Sequence, residues 1–329
     1  MVHKLYFSIP IFNEEDNLEQ CITSLYDEAK SLNQDVETFL CLNGCTDNSK
    51  KIALILQKKY PRLNIKILHS KKGKLKAQDE IIKNIRSKTG YIIFLDSDIE
   101  VKNGCIKKLI SELDKHKEII IVGALPIAKV YAGSNLWKKL LSQVLNIRSK
   151  HPLLEKSSYD VREYHPYAFS DPQQVNITPD QELQSKIFFH GRMFVMRSKE
   201  VWAKPSKCSG VVGDDTFLSD NTLYRYGKGS IRTRYDAIVY YEPFTSLLAH
   251  YNVYKRIYYD LKNLERSYPN FKDIRKLSKL KTNKDYLCKQ NKKTRILFYT
   301  YDMIRKIERF LFRVSIEKNP SKIWDCKAG

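Results

Sequence analysis

Short β-rich runs alternate with helical patterns through the first third of the chain, and this alternation limits the possible folds most strongly. In the first helical pattern, apolar residues recur on one face and Asn13 stands where a helix cap is favoured. Strand–helix–strand repeats predict an α/β fold with a doubly wound, mostly parallel sheet and helices on both faces. The predicted strands cover residues 4–9, 37–42, 64–69, 91–95 and 118–123.

The pattern is less regular beyond residue 123. Residues 124–186 have little periodicity and several prolines, which predicts a long irregular excursion. Regularity returns with a predicted strand at 187–197, a helix that begins near Asp214 and a strand at 230–241. The sequence therefore divides into residues 1–123, residues 124–249, and a basic, mostly helical tail at 250–329.

Charge is unevenly distributed along the chain. The formal net charge is +21, and residues 250–329 carry 21 Lys and Arg against 8 Asp and Glu, a net charge of +13. Such a field attracts phosphate-bearing partners, including nucleotides, nucleic acids and anionic lipids. The seven scattered cysteines and the lack of a secretory signal predict a reduced, cytoplasmic compartment, and no apolar run is long enough to span a membrane.

Two carboxylates separated by one residue follow the predicted strand at 91–95. Ligand sites of doubly wound sheets lie beyond the carboxyl ends of the strands, so this position favours a functional role for Asp96 and Asp98. Carboxylate oxygens suit Mg²⁺ or Mn²⁺, although Asp-x-Asp is also common in exposed turns. A calcium-binding EF-hand loop is excluded because Val101 occupies the position that requires glycine.

The motifs around these aspartates resemble, in consistent order, those of the inverting glycosyltransferases of family 2. The likeness covers roughly residues 1–260 and is carried by residues 8–15, 42–49, 72–77, 96–98, 191–192 and 213–218. It implies a GT-A type fold, in which residues 1–123 bind a nucleotide sugar and residues 124–249 bind the acceptor and supply the base. The implied donor is a UDP-sugar, with GDP- and dTDP-sugars as alternatives, and the implied acceptor is an unidentified glycan or lipid-linked molecule.

The resemblance also implies roles for particular residues. Asp96 and Asp98 would hold Mn²⁺ or Mg²⁺ on the donor diphosphate, with His250 as a further candidate ligand. Asp215, or its neighbour Asp214, would take the proton of the acceptor hydroxyl and so lead to inversion. The candidate donor-binding residues are Pro10, Asn13, Glu15, Asn43, Asp47, Lys74, Asp96, Arg192 and Arg256.

Each of these residues also has a purely structural interpretation. Acidic residues at 214 and 215 are favoured at any helix N-terminus, and Asn13 and Asp47 are good helix starts without a ligand. Lys74 and Lys76 could be solvated charges, and Arg192 a surface ion pair. The chain also departs from the family pattern. Leu42 and Asn43 stand where an acidic pair is common, which leaves the identity of the donor's nucleobase open. Of the Gln-x-x-Arg-Trp motif of processive members only Arg256 remains, which favours one-step, non-processive transfer.

Two rival functions remain to be separated from glycosyl transfer. A sugar-phosphate nucleotidyltransferase would carry a Gly-x-Gly-x-Arg loop after the first strand, but residues 10–13 read Pro-Ile-Phe-Asn. A basic module for nucleic acid or an anionic membrane surface is suggested by the net charge and by 21 tyrosines. No nucleic-acid-binding signature is present, so a nucleic-acid partner is not expected.

The C-terminal tail contains an amphipathic helical pattern between residues 295 and 318. It predicts either an interfacial helix that docks on an anionic membrane or a plain helix whose apolar face packs on the catalytic domain. The apolar residues are Ile296, Tyr299, Met303, Ile307, Phe310, Leu311 and Val314, and the basic residues near the flanks are Arg305, Lys306, Arg309 and Arg313.

Overall fold

A computed structural model of the chain describes residues 4–314 except positions 33, 87–89, 158–188, 198, 205–212, 228–229 and 279. The strands are β1 (Leu5–Ile11), β2 (Val36–Leu42), β3 (Ile65–His69), β4 (Tyr91–Leu95), β5 (Ile99–Val101), β6 (Ile121–Ala128), β7 (Glu155–Ser157), β8 (Met193–Met196), β9 (Ile231–Tyr241) and β10 (Leu280–Thr282). The α-helices are α1 (Leu18–Ser31), α2 (Ser49–Lys59), α3 (Lys74–Asn84), α4 (Cys105–Lys115), α5 (Leu136–Leu145), α6 (Ile147–Lys150), α7 (Asp214–Tyr226), α8 (Leu247–Ser267), α9 (Lys272–Ser278), α10 (Lys284–Lys289) and α11 (Lys292–Val314).

Among the described residues, eight strands form one sheet in the order β3-β2-β1-β4-β8-β6-β9-β5. Strands β1 to β4 pair in parallel, whereas β8 is antiparallel to both β4 and β6, and β5 is antiparallel to β9. Helices α1, α2, α3, α4 and α7 contact these strands. The predicted α/β class with helices around the sheet is therefore confirmed, but the sheet is mixed rather than mostly parallel.

The central strands of the sheet are buried on both faces. All seven residues of β1 and all five of β4 are buried, the pattern expected of a strand that is covered on both sides. Helix α1 presents to the core the face that the sequence predicts, through Leu18, Cys21, Ile22, Leu25 and Ala29. The five described cysteines are free thiols.

Most predicted elements are present, with two corrections. Helix α1 begins at Leu18, after Asn17, so the prediction that Asn13 caps it is wrong. Asn13 has a positive φ of 55° and bonds Thr46 of the next loop instead. The excursion predicted for residues 124–186 is also wrong in its described part, since β6 extends to Ala128 and α5 and α6 follow. Residues 158–188 lie outside the described part of the chain.

The chain separates into two compact units. The first comprises the described residues of Met1–Pro126, Ser185–Pro205 and Asp214–Tyr241, and it contains the sheet. The second comprises those of Ile127–Gln184, Ser206–Gly213 and Glu242–Gly329. Residues 124–249 contribute to both units, so the units do not follow the predicted boundaries at residues 123 and 249. The assignment of donor and acceptor binding to those ranges remains a prediction.

The second unit is built mainly from helices. Helix α11 contacts α5, α6 and α8, and β7 pairs with β10 in a small antiparallel sheet. Inside it, Glu308 accepts a hydrogen bond from Arg305 at 2.6 Å and lies 2.7 Å from Nδ1 of His250. The Arg305 guanidinium stacks over the Tyr254 ring. Within the described ranges, no helix combines the length and the apolar character that crossing a membrane requires.

Candidate active site

The loops after β1, β2 and β4 meet at one edge of the sheet, because these three strands run parallel. Asn43, which follows β2, donates from Nδ2 to the Ile11 carbonyl at 2.7 Å. Ser97, which follows β4, donates to the Pro10 carbonyl at 3.1 Å. Both side chains are almost fully buried, so they fix the loop positions. The Pro10 carbonyl is thus bonded to the loop after β4, and that of Ile11 to the loop after β2.

A second set of contacts ties the loop after β1 to the loop after β2. Asn13 accepts from the Thr46 backbone N–H at 2.8 Å and donates to the Thr46 hydroxyl at 3.1 Å. Glu15 accepts from the side chain of Asn48 at 2.8 Å, and its backbone N–H donates to Asp47 at 3.1 Å. The structure thus brings the candidate residues Asn13, Glu15 and Asp47 together as a loop scaffold, while their contact with a donor stays a prediction.

Lys74 occupies the centre of the acidic cluster. It begins α3 directly after Gly73, whose φ of +134° favours glycine. Its ammonium lies 2.7 Å from Asp96 Oδ1 and 3.1 Å from Asp214 Oδ2, and donates to the Gly191 carbonyl at 3.2 Å. Burial alone would lower the pKa of Lys74, but the two carboxylates raise it well above its usual value. Lys74 is therefore a fixed cation, not a solvated surface charge.

Asp96 and Asp98 differ in their partners. Burial raises the pKa of Asp96 to about 6, against the opposing effect of Lys74 and with a further rise from Asp98. Asp98 accepts from Nη1 of Arg192 at 3.1 Å through Oδ2, and the Arg192 guanidinium lies 3.9 Å from the centroid of the Tyr241 ring. Arg192 is therefore part of the cluster, and its interpretation as an ordinary surface ion pair does not hold.

The two aspartates fit a divalent metal ion. Oδ1 of Asp98 is buried and has no hydrogen-bond partner, so it is available as a ligand beside Asp96. In the part of the chain that the structure describes, no group of three or more His, Cys, Asp or Glu side chains is arranged to hold a metal. Two carboxylates leave further coordination positions of such an ion open, and a diphosphate supplies oxygen ligands of the kind that fills them.

Asp214 and Asp215 begin α7 but have different surroundings. Asp214 is 6% exposed and accepts from the Gln78 amide at 2.7 Å in addition to its ion pair with Lys74. Asp215 is half-buried and accepts backbone N–H bonds from Gly191 at 3.0 Å and Thr216 at 2.8 Å. Burial and the neighbouring Asp214 raise the pKa of Asp215 despite Lys74 and these bonds.

Close packing against Asp215 explains why the residue before Arg192 is a glycine. A Cβ at this position would lie 3.0 Å from both Cβ and Oδ2 of Asp215, which is tighter than almost all real contacts. The backbone of Arg192 in turn accepts the Asp96 N–H at 2.8 Å. The short segment before β8 therefore joins the Asp96 loop to the start of α7.

Two members of the cluster were not predicted from the sequence. Gln78 lies one helical turn after Lys74 on the buried face of α3, so its spacing was an available signal. Tyr241 ends β9, far from Arg192 in sequence, and no local pattern indicates their contact.

Two predicted site residues lie in the second unit, on α8. His250 is fully buried, with Glu308 as its partner at Nδ1 and the Tyr254 ring beside it. This geometry gives no support to His250 as a metal ligand. Arg256 lies on the same helix. The roles of both residues remain predictions.

Two curated bacterial proteins are similar to part of this chain. The uncharacterized glycosyltransferase EpsJ of Bacillus subtilis is 32% identical over 124 residues, which are 37% of this chain and 34% of that protein. The minor teichoic acid biosynthesis protein GgaA of the same organism is 32% identical over 91 residues, 27% of this chain and 20% of that protein. The matches thus span about a third or less of the length of these relatives.

A solved structure shows the same fold at low sequence identity. The mannosyltransferase PcManGT from Pyrobaculum calidifontis, in complex with GDP-Man and Mn²⁺, has a TM-score of 0.51 with 13% identity over 84% of this chain and 65% of that chain. This likeness confirms the predicted GT-A type fold. A model of the family described as glycosyl transferase family 2 matches residues 7–171, half of the chain. The chain therefore belongs to glycosyl transferase family 2.

Proposed function

We propose that the chain transfers a sugar from a nucleotide-diphosphate sugar to an acceptor hydroxyl, in one non-processive step that inverts the anomeric centre. The observation that carries this proposal is the cluster in which Lys74 connects Asp96 to Asp214, with Asp98 and Asp215 beside them. It lies at the edge where parallel strands end, the usual ligand edge of such sheets. Membership of family 2 supports the same reaction class.

Asp96 and Asp98 are the proposed ligands of a divalent ion, Mn²⁺ or Mg²⁺. Bound together with the donor diphosphate, such an ion supplies Lewis-acid stabilisation of the charge on the departing nucleotide. The buried, unpartnered Oδ1 of Asp98 supports this assignment. The Mn²⁺ in the structure of the fold relative PcManGT is consistent with it.

Asp215 is the proposed general base. Its carboxylate accepts the proton of the acceptor hydroxyl while that oxygen forms a bond to the anomeric carbon. The bond from the anomeric carbon to the phosphate oxygen breaks on the opposite face, and the nucleoside diphosphate leaves with the electron pair. The raised pKa of Asp215 makes its carboxylate a stronger base than an ordinary aspartate.

Asp214 and Lys74 have supporting roles in this proposal. Asp214 is already bound to Lys74 and Gln78, so it orients the ammonium instead of accepting a proton. The Lys74 ammonium, next to Asp96, provides fixed positive charge for the donor phosphates. The loop scaffold of Asn13, Glu15 and Asp47 borders the same edge and, together with Asn43, is the proposed nucleotide pocket.

The proposal also names classes of donor and acceptor. A UDP-sugar is the first candidate donor, and GDP-mannose, which the PcManGT structure contains, is the second. A glycan or lipid-linked acceptor is proposed, and the name of the relative GgaA adds teichoic acid precursors to the candidates.

The test measures nucleotide-sugar binding with and without metal. We expect one member of a panel of UDP-, GDP- and dTDP-sugars to raise the melting temperature with Mn²⁺ or Mg²⁺ but not with a chelator. Asp98→Ala should abolish this metal-dependent rise, because it removes a ligand and leaves the diphosphate charge uncompensated. The unmodified chain should also hydrolyse the bound nucleotide sugar slowly, and Asp98→Ala should not.

The matched control replaces an aspartate that is exposed on α1, Asp27→Ala. It should bind the donor like the unmodified chain. Metal-dependent binding that survives in Asp98→Ala would contradict the metal assignment. A chain that binds none of the nucleotide sugars would contradict the proposed reaction itself.

A further inference from the structure

Helix α11 directs its apolar face to solvent. Its opposite face is buried in the second unit and includes Phe298, Tyr301, Arg305 and Glu308. The large apolar residues that the sequence pattern places together are each between 46% and 65% exposed: Ile296, Tyr299, Met303, Ile307, Phe310, Leu311 and Val314. These seven residues are named here the α11 stripe.

This orientation is the reverse of that found in most helices of globular proteins, which turn the apolar face to the core. The exposure is also concentrated in one part of the molecule. Of the 18 large apolar residues that are exposed in the described ranges, 14 lie in the second unit. They include Trp137 on α5, a helix that contacts α11, and Trp is a preferred residue at membrane–water interfaces.

Basic side chains accompany the α11 stripe. At 100° per residue, Arg295, Lys306 and Arg313 fall along one border of the stripe, and all three are exposed. Between α5 and α11 lies a cavity of about 320 Å³ whose lining includes Lys139, Lys150 and Lys293 and, among the described residues, no carboxylate. Apolar surface bordered by positive charge is complementary to a bilayer surface that exposes anionic headgroups.

We propose that the α11 stripe docks the second unit on the surface of a membrane rich in anionic phospholipid, with the helix axis in the plane of the interface. Seven Lys and Arg among the 23 residues of α11 favour a position in the interface over one across the bilayer. The proposal goes beyond the sugar transfer proposed above and does not depend on it, since docking requires neither donor nor metal.

Flotation with vesicles tests the docking in the full chain. At low salt, we expect the chain to float with vesicles of phosphatidylcholine and phosphatidylglycerol. With vesicles of phosphatidylcholine alone, it should stay unbound at the bottom of the gradient. The double variant Met303→Asp and Phe310→Asp should lower the partition coefficient by about tenfold or more, because it places charge at the centre of the stripe. Circular dichroism verifies that the variant retains its helices.

The matched control makes the same two substitutions on the first unit. Leu54 and Ile55 on α2 are 45% and 53% exposed, so Leu54→Asp and Ile55→Asp add equal charge to apolar surface outside the stripe. The control should float like the unmodified chain. Equal losses in both variants would mean that net charge alone governs binding, and would overturn the proposal.

A second pair of variants separates local from overall charge. Arg295→Glu with Arg313→Glu should abolish flotation, while Lys50→Glu with Lys51→Glu on α2, which changes the net charge equally, should have little effect. Three results would overturn the proposal: no flotation of the intact chain, equal loss in both charge pairs, or a dimer that the stripe variant dissociates without any vesicle binding. In the last case a second copy of the chain covers the stripe.

The metal-site variant keeps this test separate from the proposed transfer reaction. Asp98→Ala should float like the unmodified chain although it no longer binds donor with metal. Flotation that is lost in Asp98→Ala would contradict a docking surface independent of the sugar-nucleotide site.

Discussion

Asp214 and Asp215 show how two adjacent residues of the same type acquire different chemistry. The carboxylate of Asp214 is buried, forms an ion pair with Lys74 and accepts a hydrogen bond from the Gln78 amide. That of Asp215 is half-buried and accepts bonds from the backbone N–H groups of Gly191 and Thr216 and, at 3.4 Å, from the Thr216 hydroxyl. Asp215 combines partial exposure with a raised pKa, which are the properties of a general base.

Asp215→Asn should therefore leave metal-dependent donor binding intact and lower kcat by about a hundredfold or more. The amide keeps the size of the side chain and can still accept a backbone N–H, but it cannot take the acceptor proton. Donor affinity by calorimetry and turnover of the donor provide the two measurements.

The pH profile is the second readout of the same variant. Because burial and Asp214 raise the pKa of Asp215, kcat/KM should rise with pH through an acid limb that lies above the usual aspartate range of about 3.9. Below that limb the base is protonated and inactive. The limb should vanish from the residual activity of Asp215→Asn and persist in the exposed-site control Asp27→Asn. A full loss of turnover in Asp214→Asn, with Asp215→Asn active, would move the base to Asp214.

Much of this residue-level site could be predicted from the sequence, because its carboxylates stand in short motifs at predicted element ends. Asp96, Asp98, Asp214 and Asp215 are of this kind. The contact between Lys74 and Asp214 and the stacking of Arg192 on Tyr241 could not be predicted. These contacts join segments far apart in sequence, and local spacing contains no information about them.

At the scale of elements, the carboxylate of Glu28 connects two helices of the first unit. Glu28 lies on α1 and is 1% exposed. Its oxygens accept the Gly104 N–H at 2.6 Å and the Ile106 N–H at 2.8 Å, at the start of α4. Free N–H groups and the helix dipole favour a negative charge at this end, so Glu28 acts as a cap supplied by another helix.

Glu28→Ala should lower the free energy of unfolding by about 2–4 kcal/mol, because it leaves the N–H groups of Gly104 and Ile106 without their acceptor. Glu28→Gln should cost less, since its amide oxygen can still accept one bond. Urea denaturation measures the change. The matched control is Glu19→Ala, an exposed glutamate on the same helix, which should leave stability nearly unchanged. Equal effects in the two alanine variants would contradict the capping role.

Strands were predicted correctly where burial on both faces produces a continuous apolar run in the sequence, as in β1 and β4. Asn13 was predicted as a cap because asparagine favours that position, but its bonds to Thr46 hold it in a left-handed conformation before the helix. Helix α5 was missed because Leu136, Trp137 and Leu140 are exposed while Ser142 is buried, so its pattern does not follow the usual amphipathic rule.

At the scale of the whole molecule, the net charge of +21 and the metal cluster predict two kinds of anion binding with different signatures. Binding of heparin or single-stranded DNA should weaken steeply with salt and should be equal in the unmodified chain and Asp98→Ala. Nucleotide-sugar binding should require divalent metal and disappear in Asp98→Ala. Fluorescence anisotropy measures both. Nucleic-acid binding that persists at high salt and prefers one sequence would favour the rival function of a nucleic-acid module.

The orientation of α11 is a property that sequence periodicity cannot determine. The amphipathic pattern was compatible with an apolar face turned either to the protein or to solvent. The structure buries Phe298, Tyr301 and the Arg305–Glu308 pair, and these residues hold the helix through its more polar side. The amphipathic pattern identifies the two faces, but which one is packed depends on the neighbouring helices.

The position of β8 in the sheet has a consequence for how the protein reaches its native state. Strand β8 joins β4 from about a hundred residues further along the chain, so this pairing closes a long loop. Closing so long a loop has a larger entropic cost, so contacts of this kind slow folding. Gly191 and Arg192 precede β8 directly, and through them Asp215 and Asp98 are held in place. The constellation of charges is therefore complete only after this long-range strand pairing has formed, and partly folded chains lack it.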